Sequence, residues 1–194
     1  MTAAGNSMSV AEFQGQYFIP SDIAKFSSGC GVNATVDTVV GGNNPSAGVE
    51  AELDIEYIKG VSPGIPLTVI YASQYSLLNW ATQLQAMANP PLVNSVSYGN
   101  DEKQQTSTAY MLSYNVQFMK AGTKGLSILF ASGDQGVCGR EGCGIFTKRF
   151  KPDFPGGSPY ITVVGGTDFS TFSIGEETAW SAGGGGFSDT FAIP

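Results

Sequence analysis

The run Ile128-Leu129-Phe130-Ala131 stops abruptly in Ser132-Gly133-Asp134-Gln135-Gly136-Val137-Cys138. An apolar run followed at once by glycine-punctuated polar residues describes a buried strand with a carboxylate at its carboxyl end. In an open α/β sheet, ligands and catalytic groups collect at that end. The glycines let the backbone turn sharply and let another segment approach closely. Taken alone, the same residues also fit a plain strand-to-loop turn with Asp134 as a turn residue.

The rest of the chain tells how that strand is embedded. Residues 9–26 read as a helix, with Val10, Phe13, Tyr17 and Phe18 near one face and Pro20 as an interruption. A short strand at 34–40 and a helix at 46–59, stopped by Gly60, come next. Then follow a strand at 66–72, a helix at 77–87 ended by Pro90-Pro91, a strand at 92–98 and a long helix at 106–122. Strands at 126–131 and 160–164 complete the reading. Strand and helix alternate four times with short links, which is the pattern of a parallel sheet wrapped by helices. The 194 residues suffice for one domain with a full core. The glycine loop Gly183-Gly184-Gly185-Gly186-Phe187-Ser188 leads nowhere before Pro194, so a further segment is expected to follow it.

The absence of histidine decides more than any single motif. No Ser-His-Asp or Cys-His arrangement can be built from this chain, and no His-based metal site. Acid–base chemistry falls to carboxylates, Lys, Tyr or Cys, and carboxylates are the abundant choice. A net charge of -7 argues against nucleic acid and anionic membrane as partners. Of the three cysteines, Cys138 and Cys143 can close a small loop, or one of them can pair with a segment outside this sequence. Asn33-Ala34-Thr35 is a glycosylation sequon beside glycines, as in a surface loop.

Residues 49–58 read Val-Glu-Ala-Glu-Leu-Asp-Ile-Glu-Tyr-Ile. On a helix, Glu50 and Asp54 lie about 40° apart and one turn removed. Leu53 and Tyr57 flank them on one side, Ala51 and Ile58 on the other, while Glu52 and Glu56 occupy a sector expected to be solvated. Like charges at that spacing repel, more so when partly buried. Such a pair shares a proton, and the carboxyl whose pKa is raised becomes a competent acid or base. An ordinary exposed acidic stripe fits the same periodicity.

Five segments in order resemble the sedolisin family of serine-carboxyl peptidases. These are 48–57, Ser95-Val96-Ser97-Tyr98-Gly99-Asn100-Asp101-Glu102, Leu129-Phe130-Ala131-Ser132-Gly133-Asp134, the stretch 154–167, and Gly184-Gly185-Gly186-Phe187-Ser188. The resemblance spans about residues 10–194 and covers only the front half of a family catalytic domain. It implies a subtilisin-like parallel sheet flanked by helices, incomplete at its carboxyl end. It further implies an acid-acting, tripeptide-releasing serine peptidase of the lysosome or the secretory route. By resemblance Glu50 is the general base for a serine nucleophile, Asp54 orients it and shares its proton, and Asp134 in its protonated form stabilises the oxyanion. Ser97, Tyr98 and Gly99 would pair their backbone with an extended peptide.

The departures from the family pattern bear on function. No Ser-Gly-Thr-Ser-Ala-Ser-type motif occurs, and Ser132 precedes the oxyanion aspartate, so the chain has a base but no nucleophile. It is expected to be inactive alone, with the serine on a second chain or segment. The family calcium site falls in the same missing part, so no metal or other cofactor is expected here. Asn100 stands where exopeptidase members carry an acid for the substrate's amino terminus, and Asp101 is the candidate substitute. Gln135 replaces a family serine beside Asp134. The competing expectation is a non-catalytic relative that binds peptides or another partner through the Ser97–Gly99 segment.

Overall fold

The computed structural model describes residues 5–146, 149–171 and 173–193. The chain runs β1 (Met8–Phe13), α1 (Pro20–Cys30), β2 (Thr38–Val40), α2 (Val49–Val61), β3 (Leu67–Ala72), α3 (Leu77–Ala86) and β4 (Val93–Val96). It continues through β5 (Asn100–Asp101), α4 (Thr108–Thr123), β6 (Ser127–Ala131), β7 (Asp153–Phe154), β8 (Thr162–Val164), β9 (Thr167–Phe169) and β10 (Glu177–Ala179). Its contacts group into two compact units: residues up to Ser97 with Lys120–Ile128, and Tyr98–Met119 with residues from Leu129 onward. Helix α4 and strand β6 contribute residues to both.

In the first unit the strand order is β2-β3-β1-β4, and every pairing is parallel. The beginning of β6 lies beside β4: Ser127 N–H donates to the Leu92 carbonyl at 2.8 Å. Fully buried Asn94 ties these strands together, accepting from Ser9 Oγ at 2.6 Å and donating to the carbonyls of Pro91 and Ser127. Apolar residues of β1, β3, α1 and α2, among them Val10, Ile23, Ala51, Ile55 and Leu67, form the core. In the second unit the end of β6 pairs in parallel with β8, β5 pairs antiparallel with β7, and β9 with β10. An aromatic chain packs it, with Tyr114 against Phe154 at 5.2 Å and Phe118 against Phe130 at 5.8 Å between ring centroids. The parallel α/β class expected from the alternation holds.

The helix expected over 9–26 does not form as one element. Residues 8–13 make the central strand β1, all six buried, and a helix begins only at Pro20. A strand hydrogen-bonded on both edges and covered on both faces carries no alternation, so its apolar positions also fit a helical period. Gln14 at φ 56° and Gly15 at φ 78° turn the chain between the two elements. Pro20 starts α1 instead of interrupting it, because the first turn needs no N–H donor. Gly60 does not stop α2 either; the helix runs on to Val61 and closes with Ser62 N–H on the Ile58 carbonyl.

Candidate active site

The first unit fixes the start of α2 by side-chain contacts. Gln16 Oε1 accepts the Glu50 N–H at 3.1 Å, and Gly48 leaves the room that Gln16 fills, since a Cβ there would collide with it. Glu52, expected on a solvated face, instead turns inward and accepts the Ile19 N–H at 2.6 Å; burial raises its pKa. Leu53 and Tyr57, expected as apolar shelter for Glu50 and Asp54, are themselves exposed. The shelter comes from the other side. Ser97 Oγ donates to Asp54 Oδ1 at 2.8 Å, and Asp54 Oδ2 has no contact with solvent.

Asp54 also hydrogen-bonds to the carboxyl of Glu12, which β1 holds fully buried. Two carboxylates cannot hydrogen-bond to each other, so this pair holds a proton. Burial pushes Asp54 up to about 7, the nearby Glu50 charge adds to the rise, and the Ser97 and Glu12 bonds oppose it. The acid that shares a proton with Asp54 by direct contact is thus Glu12, while Glu50 acts on Asp54 as a neighbouring charge. Glu50 itself is half-buried at the amino end of α2.

In the second unit the carboxyl end of β6 carries the predicted motif. Ser132 is buried, its N–H bonded to the Val164 carbonyl, which leaves it a structural residue. Gly133 at φ 101° turns the chain, and Asp134 emerges exposed. The glycine loop closes on this turn: Gly184 N–H donates to the Gly133 carbonyl at 2.9 Å. A Cβ at Gly184 would run into the Ser132 carbonyl, so Gly184→Ala should lower stability by about 1–3 kcal/mol. A urea midpoint unchanged in G184A would refute that packing.

Of the residues expected to bind substrate, Asp101 is committed inward. It is 2% exposed, and its two oxygens accept the backbone N–H groups of Arg140 and Glu141 at 2.9 and 3.2 Å. It therefore holds the Cys138–Cys143 loop, whose disulfide is formed, and is not open to a substrate's amino terminus. Arg140 Nη2 donates to the Gly99 carbonyl at 3.0 Å, so one backbone acceptor of that segment is taken. Asn100 pairs with Phe154 across β5 and β7. Glu50, Asp54 and Ser97 thus lie in the first unit, and Tyr98, Gly99, Asn100, Asp101 and Asp134 in the second.

Two acids, one in each unit, went unread in the sequence. Glu12 is the one charge in the run Met-Ser-Val-Ala-Glu-Phe, a signal masked by reading that run as helix. Asp153 lies close enough to Asp134 and Asp101 to be raised by both; burial is the larger cause, and it reaches about 7 despite Arg140 and the Phe154 N–H. Among the described residues no group of three or more His, Cys, Asp or Glu side chains is placed to hold a metal ion. Nor is any helix among them long and apolar enough to cross a membrane.

The parallel α/β arrangement is the fold of a serine-carboxyl proteinase. A Pseudomonas sedolisin (serine-carboxyl proteinase), solved with two molecules of pseudo-iodotyrostatin, superposes with a TM-score of 0.77 at 23% identity, over 98% of this chain and 60% of its own. The sequence is similar to tripeptidyl-peptidase 1: 41% identical over 202 residues to that of Canis lupus familiaris and 40% over 205 residues to that of Homo sapiens. These matches take in 97% and 98% of this chain and 35% of each relative, so the chain spans about a third of the length of the curated relatives it matches. No protein-family model matches it. The resemblance drawn from the five segments therefore holds across nearly the whole chain.

Proposed function

We propose that these 194 residues are part of an acid-acting serine-carboxyl peptidase of the tripeptidyl-peptidase kind, supplying base and oxyanion carboxylates to a serine carried by another segment or a second chain. The observation that carries this reading is Asp54 on α2, buried, bonded by the Ser97 hydroxyl at 2.8 Å and near the Glu50 charge. Below about pH 7 Asp54 holds a proton, so Glu50 has no second anion in Asp54 as it takes a proton from a hydroxyl. Asp134, exposed at the turn after β6, is the acid that donates to the oxyanion. Tyr98 and the open part of the Ser97–Asn100 segment align an extended peptide substrate.

In the same reading the protein works in a lysosomal or secreted setting, with Asn33, which is exposed, as a glycosylation site. This segment holds no metal or other cofactor, any calcium belonging to the rest of the domain. Its partners are peptides, not nucleic acid or membrane. The test is a peptidase assay between pH 3 and 6, on this chain with and without a carboxyl-terminal segment of a tripeptidyl-peptidase carrying its serine. Cleavage is expected only with both present and only in the acidic range. Peptide binding without cleavage in either arm would leave the non-catalytic, peptide-binding alternative in its place.

A further inference from the structure

A cavity of about 280 Å³ in the second unit is walled by the Gly184-Gly185-Gly186 loop, Gly165, Ser132 and Val163, and among the described residues Asp153 is the only ionisable one lining it. It is smaller than the roughly 300–1,000 Å³ of whole-ligand pockets, the size of a subsite for one side chain. Glycine walls present backbone and leave width for a long, unbranched group. Nothing in the lining offers Asp153 a positive partner, and its Oδ1 is sealed from solvent with no hydrogen bond. Among the described residues no cation stands within ion-pairing distance of it. Arg140 attenuates its charge from nearby, but the Gly99 carbonyl engages that guanidinium.

Two further acids, Asp101 and Asp134, act on Asp153 and oppose its ionisation. An incoming cation would relieve that repulsion, whereas an apolar group would leave the carboxylate without a counter-charge and an acidic group would add a third repulsion. We infer that this cavity is a subsite for a basic side chain, the ammonium of lysine or the guanidinium of arginine, on a bound peptide. The inference rests on the peptide reading above for its ligand but on the second unit alone for its chemistry.

The experiment has two arms on the full chain. In the first, agmatine is titrated at pH 7.5 and backbone amide NMR shifts are followed, with n-butanol as the uncharged control. Saturable shifts at Gly133, Gly184 and Gly185 are expected with agmatine only. They should vanish in Asp153→Asn, whose spectrum otherwise superposes because removing an unpaired charge costs the fold nothing. Agmatine affinity should fall as pH drops below about 7, where Asp153 takes up its proton. In the second, labelled peptides that differ only by lysine or norleucine at one position, scanned along the sequence, are compared. Lysine is expected to bind roughly 10- to 100-fold tighter at one position, a preference lost in D153N. Absent agmatine shifts, shifts that persist in D153N, or peptides bound with no basic preference would each overturn the subsite. Agmatine binding with no peptide bound at all would instead overturn the peptide reading.

Discussion

Raising the pH from 4.5 to 7.5 should weaken this fold, not strengthen it. Asp54 and Asp153 both titrate near 7 in the folded chain, against an ordinary value of 3.8. Between those limits the unfolded chain has released both protons while the folded chain still holds them. Stability then falls with rising pH, by about 1.4 kcal/mol per pH unit for each group. Both side chains keep some solvent contact, which trims the total to roughly 3–6 kcal/mol across the range. A typical domain has only about 5–15 kcal/mol in all. Urea midpoints at pH 4.5, 5.5, 6.5 and 7.5 would show the decline. Asp54→Asn and Asp153→Asn should each remove about half of its slope, because an amide does not titrate. Midpoints that climb with pH, as they do where carboxylates are stabilised by ion pairs, would mean that neither acid is buried as described. The direction suits the acid-acting peptidase proposed above, since the state that holds Asp54 neutral is both the more stable fold and the one that removes the anion beside Glu50.

What the sequence made legible follows from where each signal is stored. The alternation of β3, α3, β4, α4 and β6 was readable because each element is long, periodic and bounded by glycine or proline. Asp134 at the end of β6 and the Glu50/Asp54 spacing on α2 were readable for the same reason, as local patterns. β1 was not, since a strand covered on both faces and paired on both edges has no period of its own. With β1 misread, Glu12 was lost too, although its carboxyl is the one that meets Asp54 directly. Asp153 was invisible differently: its neighbours Asp101, Asp134 and Arg140 come from two other places along the chain, and no local window around Asp153 contains all of them. Asp101 looked available because an exposed acid and one that caps a distant disulfide loop read alike in sequence. Two-residue strands such as β5 and β7 carry too few side chains to leave any pattern.

In the assembly proposed above, with a serine-bearing segment present, Glu50→Gln should abolish turnover while leaving substrate binding in place. The amide keeps the shape of the carboxyl but cannot take a proton from a serine. In a comparable serine peptidase, loss of the base costs on the order of 10⁶ in kcat and loss of the orienting acid on the order of 10⁴. A fall of about 10⁴-fold or more is therefore expected for E50Q, with KM within about threefold. Asp54→Asn should cost less and shift the neutral limb of the pH–rate profile, since the group that titrates near 7 has gone. Glu12→Gln should shift the same limb with a smaller loss of kcat, because Glu12 reaches the base only through Asp54. The order E50Q, then D54N, then E12Q is what separates a proton relay from a merely structural acid cluster. In a cluster of the second kind, the most buried member, Glu12, would do the greatest damage, and it would do so through stability with an unchanged pH profile. E50Q activity within tenfold of the parent would take the base role from Glu50 and return α2 to a helix with an acidic face.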